Sequence, residues 1–291
     1  MKYSKSIYLF FLPGLLLFAF FFLLPLAQTV YYSFTTWDGY TGNPPFVGIK
    51  NYVQLITNDS IFQQSLGNNG KFMLTVVILQ TLFSLILALY LLKNNKISIF
   101  FRALFFFPTI LSSVAVAFLW SFIYDPSLGL LNQVLNAVHL DFLAANWIGD
   151  PKRAIFSLAF VQVWAHIGQM IVLFVAGMQA IPAELYESAA IEGGSKWDIF
   201  RKITWPLLAP TTTIVVAYTT IQSFKAFDLI FAMTRGGPNY STEILSTFIY
   251  HAAFENYQFG YASAASVLFM ILIAILTFIQ FKLLRSSSIS Y

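Results

Sequence analysis

Apolar positions in this chain run together in six long blocks instead of alternating with polar ones. A helix needs about 20 consecutive apolar residues to cross the hydrocarbon of a bilayer. The pattern therefore predicts spanning helices near 9–33, 71–92, 103–124, 153–177, 207–229 and 262–284. The first could be mistaken for a secretory signal. Its apolar run from Ile7 to Leu26 is too long for a signal core, and no small-x-small site closes it, so it is expected to be a retained helix. Pro13, Pro25, Pro108 and Pro210 fall in or beside helix ends, where membrane helices tolerate them. The segments 34–70, 125–152 and 230–261 are rich in Trp, Tyr, Asn and Gly and suit interfacial caps and short re-entrant helices. The segment 178–206 is different in kind.

Composition agrees with an all-α polytopic membrane protein. Charged residues make up 10% of the 291, and hydrophobic ones 58%, whereas a soluble domain carries about a quarter charged residues. Phe occurs 32 times, a frequency that suits hydrocarbon and not a water-facing surface. There is no Cys, which excludes a disulfide framework and any Cys-ligated metal. The net charge of +4 comes with no basic run, so no nucleic-acid partner is expected.

The placement of Lys and Arg sets the expected sidedness. With the N-terminus inside, the inner segments hold Lys2, Lys5, Lys93, Lys96, Arg102, Lys196, Arg201, Lys202, Lys282 and Arg285. Lys50, Lys71, Lys152, Arg153, Lys225 and Arg235 are left outside or in the fifth span. Ten against six favours cytoplasmic N- and C-termini, consistent with an even number of spans.

The long inner loop reads, from Ile181, I-P-A-E-L-Y-E-S-A-A-I-E-G-G-S-K-W-D-I-F-R-K-I-T-W-P-L-L-A-P. Pro182 at a helix start, with Glu184 and Glu187 in the first turn, suits the positive end of a helix dipole. Gly193-Gly194 should break that helix. Ser195 should cap a second one over 196–203, which Pro206 ends. Physics alone leaves two readings level: a firm projection for another protein to dock on, or an amphipathic surface helix without a partner.

The segment resembles the EAA loop of permease subunits of binding-protein-dependent ATP-binding-cassette importers. The resemblance rests on Glu187-Ser188-Ala189, Glu192-Gly193, Ile203 and Pro206, with mild departures at Ser188, Glu192, Gly194 and Trp205. Phe46-Val-Gly-Ile-Lys-Asn-Tyr52 resembles a stretch of the carbohydrate-uptake branch. So do Phe224 with Phe227-Asp228, Thr234-Arg-Gly-Gly-Pro238, Ser241-Thr242-Glu243, Tyr250, Ala253-Phe254 and Gly260-Tyr261-Ala262. The ordered set covers about residues 9 to 285.

This resemblance implies a six-helix type I importer permease of a bacterial plasma membrane. It would comprise a first helix with its outer loop (1–70), a permease domain (71–285) with its coupling loop at 181–210, and a short cytoplasmic tail (286–291). A cytoplasmic ATPase dimer would hold ATP and Mg and receive the loop through Glu187, Ser188, Ala189, Ala190, Glu192, Gly193, Gly194 and Phe200. A paralogous permease would complete the pore, and an extracytoplasmic solute-binding protein would deliver the sugar. This chain has no Walker-type Gly-rich loop, so it is not expected to be an enzyme or to bind a cofactor.

Polar side chains inside apolar spans are costly and mark candidate substrate paths. Gln162, His166 and Gln169 share one face of the fourth span. Thr219, Gln222 and Ser223 form a similar set in the fifth, and Thr109 and Ser113 lie in the third. Amides and hydroxyls both donate and accept, as sugar hydroxyls require, and Trp120, Trp164 and Phe224 could stack on a ring. Each of these is also ordinary interhelical glue. Lys225 and Asp228, three apart, are expected to pair at the outer gate; alternatively Lys225 faces the carboxylate of an acidic sugar. A polyol, sugar acid or glycerol phosphate is the alternative cargo. An ion-coupled secondary transporter is the distant one, since only Asp228 lies near a span.

Overall fold

The computed structural model describes residues 6–284. Lys2, Lys5 and Arg285, three of the charges used for sidedness, lie outside the described residues, as does the tail 286–291. The chain forms α1 (Ser6–Phe18), a π turn (Ala19–Leu23), α2 (Leu24–Tyr32), α3 (Lys50–Thr57), α4 (Ser60–Tyr90), α5 (Lys96–Phe106), α6 (Ser113–Ile123) and α7 (Leu130–Ala137). There follow α8 (Ala154–Gln179), α9 (Ala183–Ile191), α10 (Lys196–Ile199), α11 (Trp205–Leu207), α12 (Ala209–Phe224), α13 (Phe227–Thr234), α14 (Leu245–Tyr250) and α15 (Phe259–Leu284). A single bridge between Thr35 and Phe46 is the extended pairing among the described residues. Among the described residues, four helical segments are long and apolar enough to cross a membrane: Phe10–Tyr32, Ser60–Tyr90, Ala154–Gln179 and Phe259–Lys282. The number becomes six if each of two bent helix pairs is one span.

The chain divides into two compact units, residues 1–63 with 248–272, and residues 64–247 with 273–291. In the first unit, the window that marks the Phe10–Tyr32 span has none of its residues buried, and Phe10 and Phe21 are among the most exposed side chains. Such a surface is stable only in contact with something apolar. Beyond α2 the chain is clipped back by α3. Asn51 Nδ2 donates to the carbonyls of Ser33 (2.9 Å) and Thr35 (2.8 Å), and Tyr52 Oη donates to Ser33 Oγ (2.6 Å). The Asn-Tyr pair of the 46–52 stretch therefore has a structural task. Tyr261 Oη donates to Asp59 Oδ2 at 2.7 Å in the same unit.

In the second unit α8 is the central helix, with 61% of its apolar window buried, against 33% for the window of α4. Leu158, Met170, Ile171 and Phe174 of α8 form its core with Phe72, Val76, Leu208 and Ile230. α5, α6, α12 and α13 all pack on α8. Gly168 permits the closest approach, because a Cβ there would overlap the Phe105 carbonyl oxygen. Gly177 does the same against the Thr211 side chain. Small residues at such crossings let membrane helices pack backbone to backbone.

Three expectations need correction. The apolar run 103–124 is not one straight helix. α5 ends in a 3₁₀ turn (Phe107–Ile110) carrying Pro108, the chain extends through Leu111 and Ser112, and α6 leaves at 102°. Pro108 lacks the N–H and crowds the preceding turn, which is why the helix breaks there. At 1.5 Å per residue, neither 11-residue half reaches across about 30 Å of hydrocarbon alone. The fifth run is also bent, by 42° between α12 and α13. The second begins earlier than expected, at Ser60 instead of 71, so its helix runs through the expected boundary at residue 70.

Candidate functional site: an exposed coupling loop and a polar stripe on α8

The 181–210 loop begins where Pro182 occupies the N-cap position of α9, with Glu184 in the first helical turn. Glu187 falls one turn further on. The end of α9 closes with paired reverse bonds: Gly193 N–H donates to Ala190 O (3.1 Å) and Gly194 N–H to Ala189 O (2.9 Å). This is the Schellman arrangement, which needs a left-handed residue after the cap. Gly193 supplies it at φ +76°. A Cβ on Gly194 would come to 2.8 Å of the Ala189 carbonyl. The two glycines thus serve the turn for different reasons, Gly193 by its left-handed backbone and Gly194 by leaving room for the Ala189 carbonyl.

Ser195 then caps α10, its Oγ accepting from the Asp198 N–H at 3.1 Å. The same hydroxyl donates to the Asp198 carboxylate, and Lys202 Nζ lies 3.1 Å from Asp198 Oδ1. These contacts, the Ser195 hydroxyl foremost, hold the Asp198 carboxyl below its ordinary pKa. The second helix does not stop at Pro206 as the sequence suggests. α10 passes through a π turn (Phe200–Thr204) directly into α11, and Pro206 lies within that continuation.

The two arms enclose a concavity of about 450 Å³ lined by Ala189, Glu192, Gly193, Gly194, Asp198, Ile199, Lys202 and Ile203. Glu187, Ser188, Ala190 and Glu192 are exposed, Ala189 and Phe200 half-buried. Ile191 and Trp197 project into solvent, 87% and 66% exposed. Phe200 stacks on Trp197 with centroids 5.6 Å apart. The loop is a rigid, capped projection with two bare apolar side chains.

The polar residues within the spans separate into two groups. Thr109 Oγ1 donates to Ala165 O (2.9 Å), Ser223 Oγ to Thr220 O (2.7 Å), and Thr219 Oγ1 contacts Met170 Sδ (3.5 Å). These three are satisfied within the chain. Gln169 Oε1 and Gln222 Oε1 are buried with no hydrogen-bond partner, an arrangement that costs free energy unless something else supplies a donor. Ser113, Gln162 and His166 are brought together with Pro108 and Leu229 around a cavity of about 10 Å³, the size of one water and too small for a sugar ring. His166 Nδ1 lies 3.1 Å from Gln162 O.

Gln80 of α4 is not among the residues that the sequence singles out, yet it is fully buried, and its Nε2 donates to His166 O at 3.3 Å. The one amide side chain in the apolar stretch 72–90 of α4 is the signal that points to it. Trp120 and Trp164 do not face this stripe. They meet edge to face, 5.5 Å apart, beside an apolar groove.

Lys225 and Asp228 do not form the expected pair. Both are exposed, and the ion pairs among the described residues join other partners. The physical reason is that α12 ends at Phe224 and α13 starts at Phe227, so the three-residue spacing does not lie on one helix. The described residues hold no cluster of three or more His, Asp or Glu able to bind a metal.

Apolar helices packed on the buried α8, with a capped two-helix projection between α8 and α12, define a polytopic membrane component. The chain belongs to the family described as the binding-protein-dependent transport system inner membrane component, which matches residues 80–288. It is 37% identical over 281 residues to the probable ABC transporter permease protein YurN of Bacillus subtilis, covering 96% of each chain. It is 36% identical over 263 residues to the multiple sugar-binding transport system permease protein MsmF of Streptococcus mutans, covering 90% of this chain and 89% of that one. Among solved structures, it resembles a chain of a bacterial alginate ABC transporter in complex with an alginate pentasaccharide-bound periplasmic protein. The TM-score is 0.81 at 20% identity, with 94% of this chain and 92% of that one covered.

Proposed function

We propose that this chain is the membrane-spanning permease subunit of an ATP-driven importer for a sugar or oligosaccharide. Family membership and relatives of nearly full length carrying sugar-permease names support the reading. The observation that carries the mechanism is the 181–210 projection. Its fixed Schellman turn and Ser195 cap keep α9 and α10 in one geometry, and Ile191 and Trp197 stand out from it as docking anchors.

In this reading a cytoplasmic ATPase dimer, which holds ATP and Mg, receives α9. Glu187 and Glu192 make polar contacts in its groove, while Ala189, Ala190 and Gly193 permit close approach. Closure of the dimer on ATP pulls the projection, and α8 and α12, which flank it, carry the motion into the membrane. Both termini lie in the cytoplasm, a paralogous permease completes the pore, and an extracytoplasmic binding protein docks on the opposite side. Of the amides that the sequence singles out, Gln169 and Gln222 have buried carbonyl oxygens that lack donors and are free to meet sugar hydroxyls.

An acidic sugar is the favoured variant of this cargo. Lys225 is exposed at the α12–α13 bend without a carboxylate partner, leaving its ammonium available to an anionic ring.

The chain contains no Cys, so a single Ile191→Cys or Trp197→Cys reports its own neighbourhood. Disulfide or bifunctional cross-linking of either to the ATPase subunit in the assembled complex is the expected result. Cross-links confined to lipid or to this chain would overturn the docking role.

A further inference from the structure

A second concave feature of the chain has no part in the transport reading. α6, α7, the 3₁₀ turn Asp141–Leu143 and the first turns of α8 enclose a groove of about 860 Å³. Its walls are Trp120, Ile123, Leu130, Val134, Phe156 and Phe160, among other apolar and aromatic side chains. The surroundings of the groove are apolar as well. Phe118, Phe122, Phe142 and Phe156 are between 48% and 78% exposed, so the groove opens onto a surface suited to acyl chains and not to water.

Arg153 is the one charged residue that lines it. It stands at the position just before α8, its side chain half exposed and only loosely joined to Asp150 at 3.5 Å. An exposed pair of this kind contributes little and leaves most of the guanidinium donors available to a bidentate acceptor. Tyr124 and Trp147, stacked at 6.1 Å, also line the groove, with their polar atoms bonded inside the protein, Tyr124 Oη donating to Ser157 O and Trp147 Nε1 to Asn132 Oδ1. Apolar depth and a single cation together match an amphiphile with an anionic head.

We infer that this groove is a phospholipid site, with one acyl chain lying between α6, α7 and α8 and the lipid phosphate held by Arg153. The volume lies in the usual range for sites that enclose a small molecule. Arg, not Lys, suits a phosphate oxygen pair. Because the acyl chain would wedge between the short helix α7 and α8, an occupied groove would fix the 125–152 segment against the membrane part of its own unit.

The test is native mass spectrometry of the assembled transporter released from nanodiscs of defined composition. Phosphatidylglycerol and phosphatidylethanolamine are compared with diacylglycerol, which has the same chains and no phosphate. Wild type should retain a phospholipid through delipidation. Arg153→Ala should reduce retention about tenfold, the effect of losing a charge-assisted contact, while Arg153→Lys should restore part of it. Val134→Trp, which fills the groove without touching the rim, should also displace the lipid, and diacylglycerol should bind wild type no better than phospholipid binds Arg153→Ala. Equal retention in wild type, Arg153→Ala and Val134→Trp would overturn the inference. So would a photoreactive side chain in place of Phe142 that couples to another polypeptide instead of to lipid.

Discussion

The Phe105 carbonyl oxygen occupies the space against Gly168 in which any other residue would place its Cβ. This one approach joins α5 to the central helix α8 at the level where the apolar run 96–123 is about to turn through 102°. Replacement of Gly168 by Val forces the two backbones apart and should destabilise the protein by about 1–3 kcal/mol, as overpacking does. Gly14, where an added Cβ would meet nothing within 4 Å, is the matched control. Thermal unfolding of the detergent-purified protein, followed by Trp fluorescence, should show a lower midpoint for Gly168→Val and little change for Gly14→Val.

Gly193 lies at φ +76° with open space around it. An added Cβ there would meet nothing within 4 Å, but any side chain would strain the left-handed backbone by about 1–2 kcal/mol, and a large one would cover the proposed docking surface. Gly193→Trp should abolish uptake and uncouple the ATPase while leaving normal amounts of protein in the membrane. Gly193→Asn, which tolerates the left-handed region, should retain most activity. Uptake in whole cells, with the membrane content measured by immunoblot, distinguishes these outcomes.

Asp198 has its pKa lowered first by the Ser195 hydroxyl and then by Lys202. A carboxyl whose folded pKa is depressed contributes stability above its unfolded pKa, near 4, and loses it as pH falls through the folded value. The capped α9–α10 turn should therefore be intact at neutral pH and loosen only in acid. Ser195→Ala and Lys202→Ala should each raise the Asp198 pKa. Carboxyl ¹³C shifts of labelled protein across a pH series measure this, and a wild-type Asp198 titrating at its ordinary value would contradict it.

Gln169 and Gln222 present buried carbonyl oxygens without donors. Substituting Met for either removes an unsatisfied group, so stability should hold or rise slightly. Transport should nevertheless fall by roughly tenfold if that amide binds a sugar hydroxyl. Thr109→Val should behave in the opposite manner, losing about 1 kcal/mol with its bond to Ala165 O and keeping the affinity for substrate. Paired melting and uptake measurements separate the two classes.

Features that depend on near neighbours are legible in the sequence. The spans of α8 and α15, the break at Gly193-Gly194 and the Ser195 cap are all local, and all stand where the residue pattern predicts them. Hydropathy, however, records that a segment is apolar and not the direction it takes. The bend after Pro108 is therefore invisible within one continuous run. The polar start of α4 reads as loop because its reason lies far along the chain: Asn68 donates to the carbonyls of Tyr240 and Glu243, and Asn69 accepts from Leu245 N–H. The expected Lys225–Asp228 pair fails for a related reason, since a helix end between them changes the geometry that their spacing implies.

A permease of this kind should move sugar only as part of an ATP-driven assembly. Uptake of labelled oligosaccharide into proteoliposomes decides the matter, comparing the chain alone with the chain joined by its paralogue, the ATPase and a loaded binding protein. The expected result is no uptake and no ATP hydrolysis by the chain alone, and ATP-dependent uptake by the full assembly that vanishes in Gly193→Trp. Uptake by the chain alone, or uptake driven by a proton or sodium gradient without ATP, would contradict it.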